Sequence, residues 1–138
     1  MSRPLLTELL EATYAAVYGY GVLGARLEEE LRRLARLAYD SHRVRRDQLV
    51  ARLTERGGDP DPPPPAYDVD VASEGDALAL AVRLEEGLAV RWRDLVGGTD
   101  DPQLRELAVA GLTECAVRAA QWRELAGVSP ATVALPGT

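Results

Sequence analysis

His42 is the one histidine in 138 residues, and the residue three positions before it is Tyr39. Both facts bear on the metal chemistry that a bundle of helices readily supports. A carboxylate-bridged pair of iron or manganese ions takes a Glu from each of two helices and a Glu-x-x-His pair from each of the other two. The spacing is physical: residues three apart share one helix face, so both side chains reach one metal pair. Glu114 is followed at that spacing by Val117, and Glu85 by Leu88. No Glu-x-x-His occurs, so no metal ligand is assigned and no cofactor is expected. A single ion held by His42 with Glu85 or Glu114 is the lesser metal arrangement left open.

Other reactive groups are as sparse. The chain has no Lys, so no amine serves as a base or Schiff-base nucleophile. Cys115 is the only cysteine, which excludes an internal disulfide and fits a reducing compartment. It falls on an apolar stripe between Leu112 and Ala119, so a buried, inert thiol is the expectation. There is no Gly-x-Ser-x-Gly, no Gly-rich phosphate loop before a Lys and no cysteine pair. The run Arg43, Arg45, Arg46 is locally basic, but Asp40 and Asp47 flank it, so it reads as a solvated or ion-paired face. A net charge of −6 argues against broad binding to nucleic acid or to an anionic membrane.

The elements that must position these residues are helices. Leu6, Leu9, Leu10, Thr13, Ala16, Val17, Tyr20 and Leu23 repeat at helical spacing behind Ser2, a good N-cap. Glu28, Glu29 and Glu30 suit the positive start of a second helix. Its apolar face runs from Leu27 to Leu53, and Gly57-Gly58 stop it. Ser73 and Asp76 form a variant capping box ahead of Leu78, Ala81, Leu84, Leu88, Trp92 and Leu95, with Gly97-Gly98 as the stop. Asp101-Pro102 opens the fourth helix, which ends near Gly127. The expected helices are about 3–24, 27–56, 74–96 and 102–126, within one domain of 138 residues.

Between the second and third lies DPDPPPPA, residues 59–66, which cannot be helical. It reads as a stiff crossover rather than as a ligand for a proline-recognition domain. At roughly 3 Å per residue, about 15 residues cover about 45 Å, the length of the rods they join. Short links pair helices 1 with 2 and 3 with 4, so the expected architecture is all-α. It is an up-down-down-up four-helix bundle with one long proline-rich crossover, the geometry of the ferritin-like folds.

Projecting the stripes turns several polar residues inward. Thr13, Ser41, Glu85 and Arg118 fall on or beside core faces. His42 and Arg45 share a strip with Ala38 and Leu49, and Glu114 lies one turn before Arg118. Buried charges survive only when paired and hydrogen-bonded. The expectation is that Arg45 or Arg118 meets Glu85 or Glu114, in pairs that stand where a cation site once stood. Tyr14, Tyr18 and Tyr20, interleaved with Gly19, Gly21 and Gly24, admit two readings. One is an aromatic-lined pocket or redox tyrosine; the plainer one is packing at a helix interface.

The strings EATYAAVYGYGVLGARL, SHRVRRDQL, VRLEEGLAVRWRDL, AVRAAQWREL and TVALPG together resemble a family of short, alanine- and arginine-rich actinobacterial proteins. That family is ferritin-like in fold and has no assigned function. The likeness spans nearly the whole chain and agrees with the absence of Lys, Asn, Ile and Phe, whose codons are AT-rich. It implies that Thr13 and Tyr14 stand where relatives often carry Glu-His, so this member departs from the pattern at its most ligand-like positions. With them, the candidate inward patch is Thr13, Tyr14, Ser41, His42, Arg45, Glu85, Glu114 and Arg118.

The expected protein is a cytoplasmic homodimer joined through helical faces. Glu8 and Glu11 interrupt any signal-peptide run, and the uncharged stretch Ala12–Ala25 is too short to span a bilayer. The expected role is non-catalytic, in assembly or partner binding. The alternatives are an iron- or manganese-binding or oxidoreductase member of the superfamily, or small-molecule binding in the bundle cavity.

Overall fold

The computed structural model describes residues 2–132 and 134–138. Four helices account for most of them: α1 (Ser2–Gly24), α2 (Glu29–Glu55), α3 (Glu74–Gly98) and α4 (Pro102–Leu125). Their directions follow from the contacts along each seam. Ser2 at the start of α1 meets Thr99 at the end of α3, and Tyr20 near the end of α1 meets Glu85 in mid-α3. Arg56 beside the end of α2 meets Asp101 at the start of α4, and Ser41 meets Glu114. Facing helices are therefore antiparallel, α2 and α3 point the same way, and the order is up, down, down, up.

Two boundaries differ from the sequence expectation. The second helix starts at Glu29 rather than at 27. The backbone of Ala25–Leu27 is spent on a tight turn, bonded to carbonyls of Val22, Leu23 and Gly24, while Leu27 tucks under the bundle. The third helix runs through Gly97 and Gly98 before it stops. Gly98 is no terminator: a Cβ there would collide with Leu5 of α1, so the residue permits close approach of two helices. The first glycine after α2 does act as a stop. Gly57 sits at φ 77°, and Gly57 and Gly58 return their N–H groups to Thr54 and Leu53.

Two of the three caps read from sequence are made. Ser73 Oγ accepts from the N–H of Asp76, whose carboxylate accepts from Ala72 rather than from Ser73 itself. Asp101 accepts from Gln103 and Leu104 ahead of the N1 proline Pro102. Ser2 does not cap: its hydroxyl donates to Thr99 Oγ1.

The apolar interior falls into two clusters along the rods. One gathers Leu6, Leu9, Leu49, Leu88, Trp92, Leu95 and Leu104. The other gathers Tyr20, Leu23, Ala35, Ala38, Ala77, Ala81 and Trp122. Contacts are densest between α3 and α4 and between α1 and its neighbours α2 and α3. Across α2 and α4, long polar side chains span the seam instead. The connector 56–73 runs alongside α1, from Pro62 near Thr7 and Leu10 to Val71, whose carbonyl accepts from Arg26.

Candidate functional site

Between the two apolar clusters, Glu85 of α3 projects into the middle of the bundle with none of its surface exposed. Its neighbours come from all three other helices. Tyr20 of α1 donates its hydroxyl to Oε2. The same oxygen lies 2.8 Å from Nε2 of His42 on α2. On the other oxygen, Oε1, Arg118 Nη1 of α4 stands at 3.5 Å. Trp122, one turn beyond Arg118, donates Nε1–H to the Tyr20 oxygen at 2.9 Å.

The electrostatics follow from that arrangement. Burial pushes the Glu85 carboxyl up, but His42, Arg118 and the Tyr20 hydroxyl together hold it below the ordinary carboxylate value. Glu85 is then an acceptor only, so His42 presents Nε2–H toward it. Tyr20 moves the opposite way. Burial first, then the adjacent Glu85 charge, raises its phenol well above the ordinary value. Cys115, on the same level of α4, is raised by burial and then by Glu85.

A second layer closes the site on the α2–α4 side. Arg118 Nη2 donates to Ser41 Oγ at 2.7 Å, and Ser41 lies 3.2 Å from Oε1 of Glu114. Arg45 pairs with Oε2 of Glu114 and also reaches Gln48 at 3.0 Å. Burial raises Glu114, and the Arg45 hydrogen bond and charge more than offset it. Every fully buried side-chain nitrogen and oxygen among the described residues has a partner. In a low-dielectric interior such a set is stable when complete and costly when broken.

Six of the eight candidate residues thus meet: Ser41, His42, Arg45, Glu85, Glu114 and Arg118. Thr13 and Tyr14 do not join them, which corrects their placement in the patch. Thr13 is buried, but its hydroxyl donates to the Leu9 carbonyl one turn back, at 2.7 Å. Tyr14 turns outward to the connector, where it lines clefts with Pro63, Pro64 and Tyr67. Trp122 was missed because it sits on an apolar stripe and reads as core, and Tyr20 was read with Tyr14 and Tyr18 as pocket or interface rather than as part of the patch. Their signal is chemical: a buried phenol or indole needs a partner for its polar tip, and Glu85 serves the phenol while the phenol oxygen serves the indole.

Solved structures give the class. The chain is similar to a point mutant of the Dps protein of Listeria innocua, at 14% identity over 94% of this chain and 95% of that one, with TM-score 0.82. It is also similar to a ferritin-like, diiron-carboxylate protein of Bacillus anthracis, at 16% identity over 91% and 94%, with TM-score 0.79. The bundle is ferritin-like. Residues 6–138 match the family described as a domain of unknown function, DUF4439, and the chain belongs to that family. A conserved hypothetical protein of Mycobacterium tuberculosis is 32% identical over 90% of this chain and 96% of that one, with TM-score 0.86. No curated protein matches the sequence.

Proposed function

We propose that this bundle has exchanged the dinuclear metal centre of ferritin-like proteins for a self-contained polar core, and that it serves as a non-catalytic scaffold in assembly or partner binding. The observation that carries the reading is the state of Glu85. Both oxygens of this sealed carboxylate are engaged by protein donors, and one donor is a guanidinium 3.5 Å away. A divalent cation entering here meets that fixed positive charge and must displace three donors. The donor set fits the standard centre poorly, since two Glu-x-x-His pairs are needed and the chain holds one histidine. Among the described residues no group of three His, Cys, Asp or Glu is gathered to hold an ion.

Support for a partner comes from the outer strips of the helices. Leu37 and Val44 of α2 are 61% and 57% exposed, and Val117 of α4 is 53% exposed. Helical spacing sets all three on the outward side of the seam spanned by Ser41, Arg45 and Glu114. A second copy covering these strips would give the homodimer. No helix among the described residues is long and apolar enough to cross a membrane. A cytoplasmic setting suits the single buried thiol.

Elemental analysis of protein purified from iron- and manganese-supplemented culture tests the first half. The expected content is far below one atom per chain; stoichiometric metal that is lost on His42→Gln or Glu85→Gln overturns the reading in favour of a metal-binding member. Light scattering tests the second half, with a dimer expected and a monomer at high concentration against it.

A further inference from the structure

The chain has five tyrosines, and all five line one surface groove between α1, α2 and the connector. The groove consists of two adjoining cavities that share Gly21 and Tyr39, of about 460 and 340 Å³. Tyr14, Tyr18 and Tyr67 wall one, with Pro63 and Pro64 of the connector. Tyr20 and Ala35 line the other, and Tyr39 stands between. Tyr18 and Tyr67 pack ring against ring at 5.3 Å between centroids. The buried core takes the ring and hydroxyl of Tyr20 and one edge of Tyr14 and Tyr39, and it has no such use for Tyr18 and Tyr67.

The charge of the groove runs against the charge of the chain. The protein has 22 acidic residues and a net charge of −6. Yet no acidic residue lines either cavity, whereas Arg32, Arg36 and Arg46 do. Arg43 adds a fourth guanidinium, stacked over the Tyr39 ring at 5.5 Å. Arg32 is tied to the carbonyls of Gly24 and Leu27, and Arg46 is paired with the exposed Asp47 beside it at 3.0 Å, which leaves Arg36 as the guanidinium ready at the rim. Gly21 is exposed in the last turn of α1, where alanine would be the better helix former. A Cβ there would touch nothing within 4 Å, so neither packing nor backbone conformation demands it. Its effect is to keep the floor open where the two cavities meet.

We propose that this groove binds a small molecule with a planar aromatic ring and an anionic group. The ring stacks on the tyrosine faces above Gly21, and the anion pairs with Arg36. Two joined cavities of this size suit a ligand of a few rings. The site adjoins the buried Glu85 cluster at Tyr20, which belongs to both, but does not depend on the scaffold reading.

The test uses the full chain, ¹⁵N-labelled, titrated with 2-naphthoate as the anionic ring and with naphthalene-2-methanol as the same ring without charge. The expected result is saturable binding of 2-naphthoate that shifts amides of residues 17–24 and 36–46, at least about tenfold tighter than the alcohol. Gly21→Leu should abolish binding while leaving the helix intact, since leucine is the better helix former. The double variant Arg36→Gln/Arg46→Gln should bring 2-naphthoate down to the affinity of the alcohol. No saturation at millimolar concentration, equal affinity for the two probes, or unchanged binding by Gly21→Leu overturns the proposal.

Discussion

His42 Nε2 lies 2.8 Å from Oε2 of Glu85, and the two side chains are 2% and 0% exposed. One partner is supplied by α2 and the other by α3, the two helices that run in the same direction at opposite corners of the bundle. This diagonal contact ties the halves of the molecule together through their centre. Removing either side chain leaves the other buried without its partner. His42→Leu and Glu85→Leu should therefore each lower the unfolding free energy by about 3 kcal/mol. The double variant should cost less than the sum by at least about 1.5 kcal/mol. Urea titrations of the four proteins at pH 7 measure that coupling; strict additivity would show that the two groups do not act as a pair.

Stability should fall on both sides of a broad pH plateau. Glu85 has its pKa lowered in the folded state, so its contribution is complete above the unfolded value, about 4.3. It is lost as pH drops through the folded value. Tyr20 has its pKa raised, so its contribution is complete below the unfolded value, about 10, and is lost as pH climbs toward the folded one. Cys115, raised likewise, begins to lose its contribution above its unfolded value, about 8.5. Urea midpoints should stay flat from about pH 5 to 8 and decline outside that window. The Tyr20→Phe variant should lose much of the alkaline decline, and Glu85→Gln part of the acid one. Unaltered limbs in both variants would place the titrating groups elsewhere.

Much of this was readable before the structure. Caps at Ser73 and Asp101, the Gly57-Gly58 stop and the proline run at 59–66 are local signals, and each acts through its own backbone. The inward turn of Glu85, His42 and Arg118 follows from helical spacing, which needs no knowledge of the partner helix. Spacing could not decide which guanidinium meets which carboxylate. Arg118 reaches Glu85 while Arg45 takes Glu114, a choice set by the antiparallel register of α2 and α4. Spacing placed Thr13 inward correctly but could not show that its hydroxyl has an acceptor within its own helix. Tyr20 was hidden because its ring satisfies the apolar stripe while its hydroxyl serves the polar core.

Two glycine-to-alanine substitutions should have opposite signs. At Gly21 a new Cβ meets nothing, so alanine should stabilise the protein by roughly 0.5–1 kcal/mol through helix propensity alone. At Gly111 of α4 the Cβ would enter the six-membered ring of Trp92, a residue with 1% of its surface exposed at the α3–α4 contact. The indole is held on all sides by the core and has nowhere to move. Overpacking should outweigh the propensity gain and leave a net loss of about 2 kcal/mol or more. Denaturant midpoints give both signs, and near-ultraviolet circular dichroism should report the displaced tryptophan only in the Gly111 variant. A Gly111→Ala protein as stable as the parent would mean that α3 and α4 can part at this level.

Cys115 should be nearly unreactive in the folded protein. It is 1% exposed, and burial together with the neighbouring Glu85 charge raises its thiol well above the ordinary value. The nucleophile is the thiolate, so both effects suppress alkylation. Iodoacetamide at pH 8 should modify the native chain at least about 100-fold more slowly than the urea-unfolded chain. Glu85→Gln separates the two causes, because it removes the negative charge and leaves most of the burial. That variant should react faster than the parent while still folded, in proportion to the thiolate it gains. Fast reaction of the unaltered native protein would mean that the polar core opens to solvent on the timescale of the assay. A sealed Glu85 would then no longer describe the site.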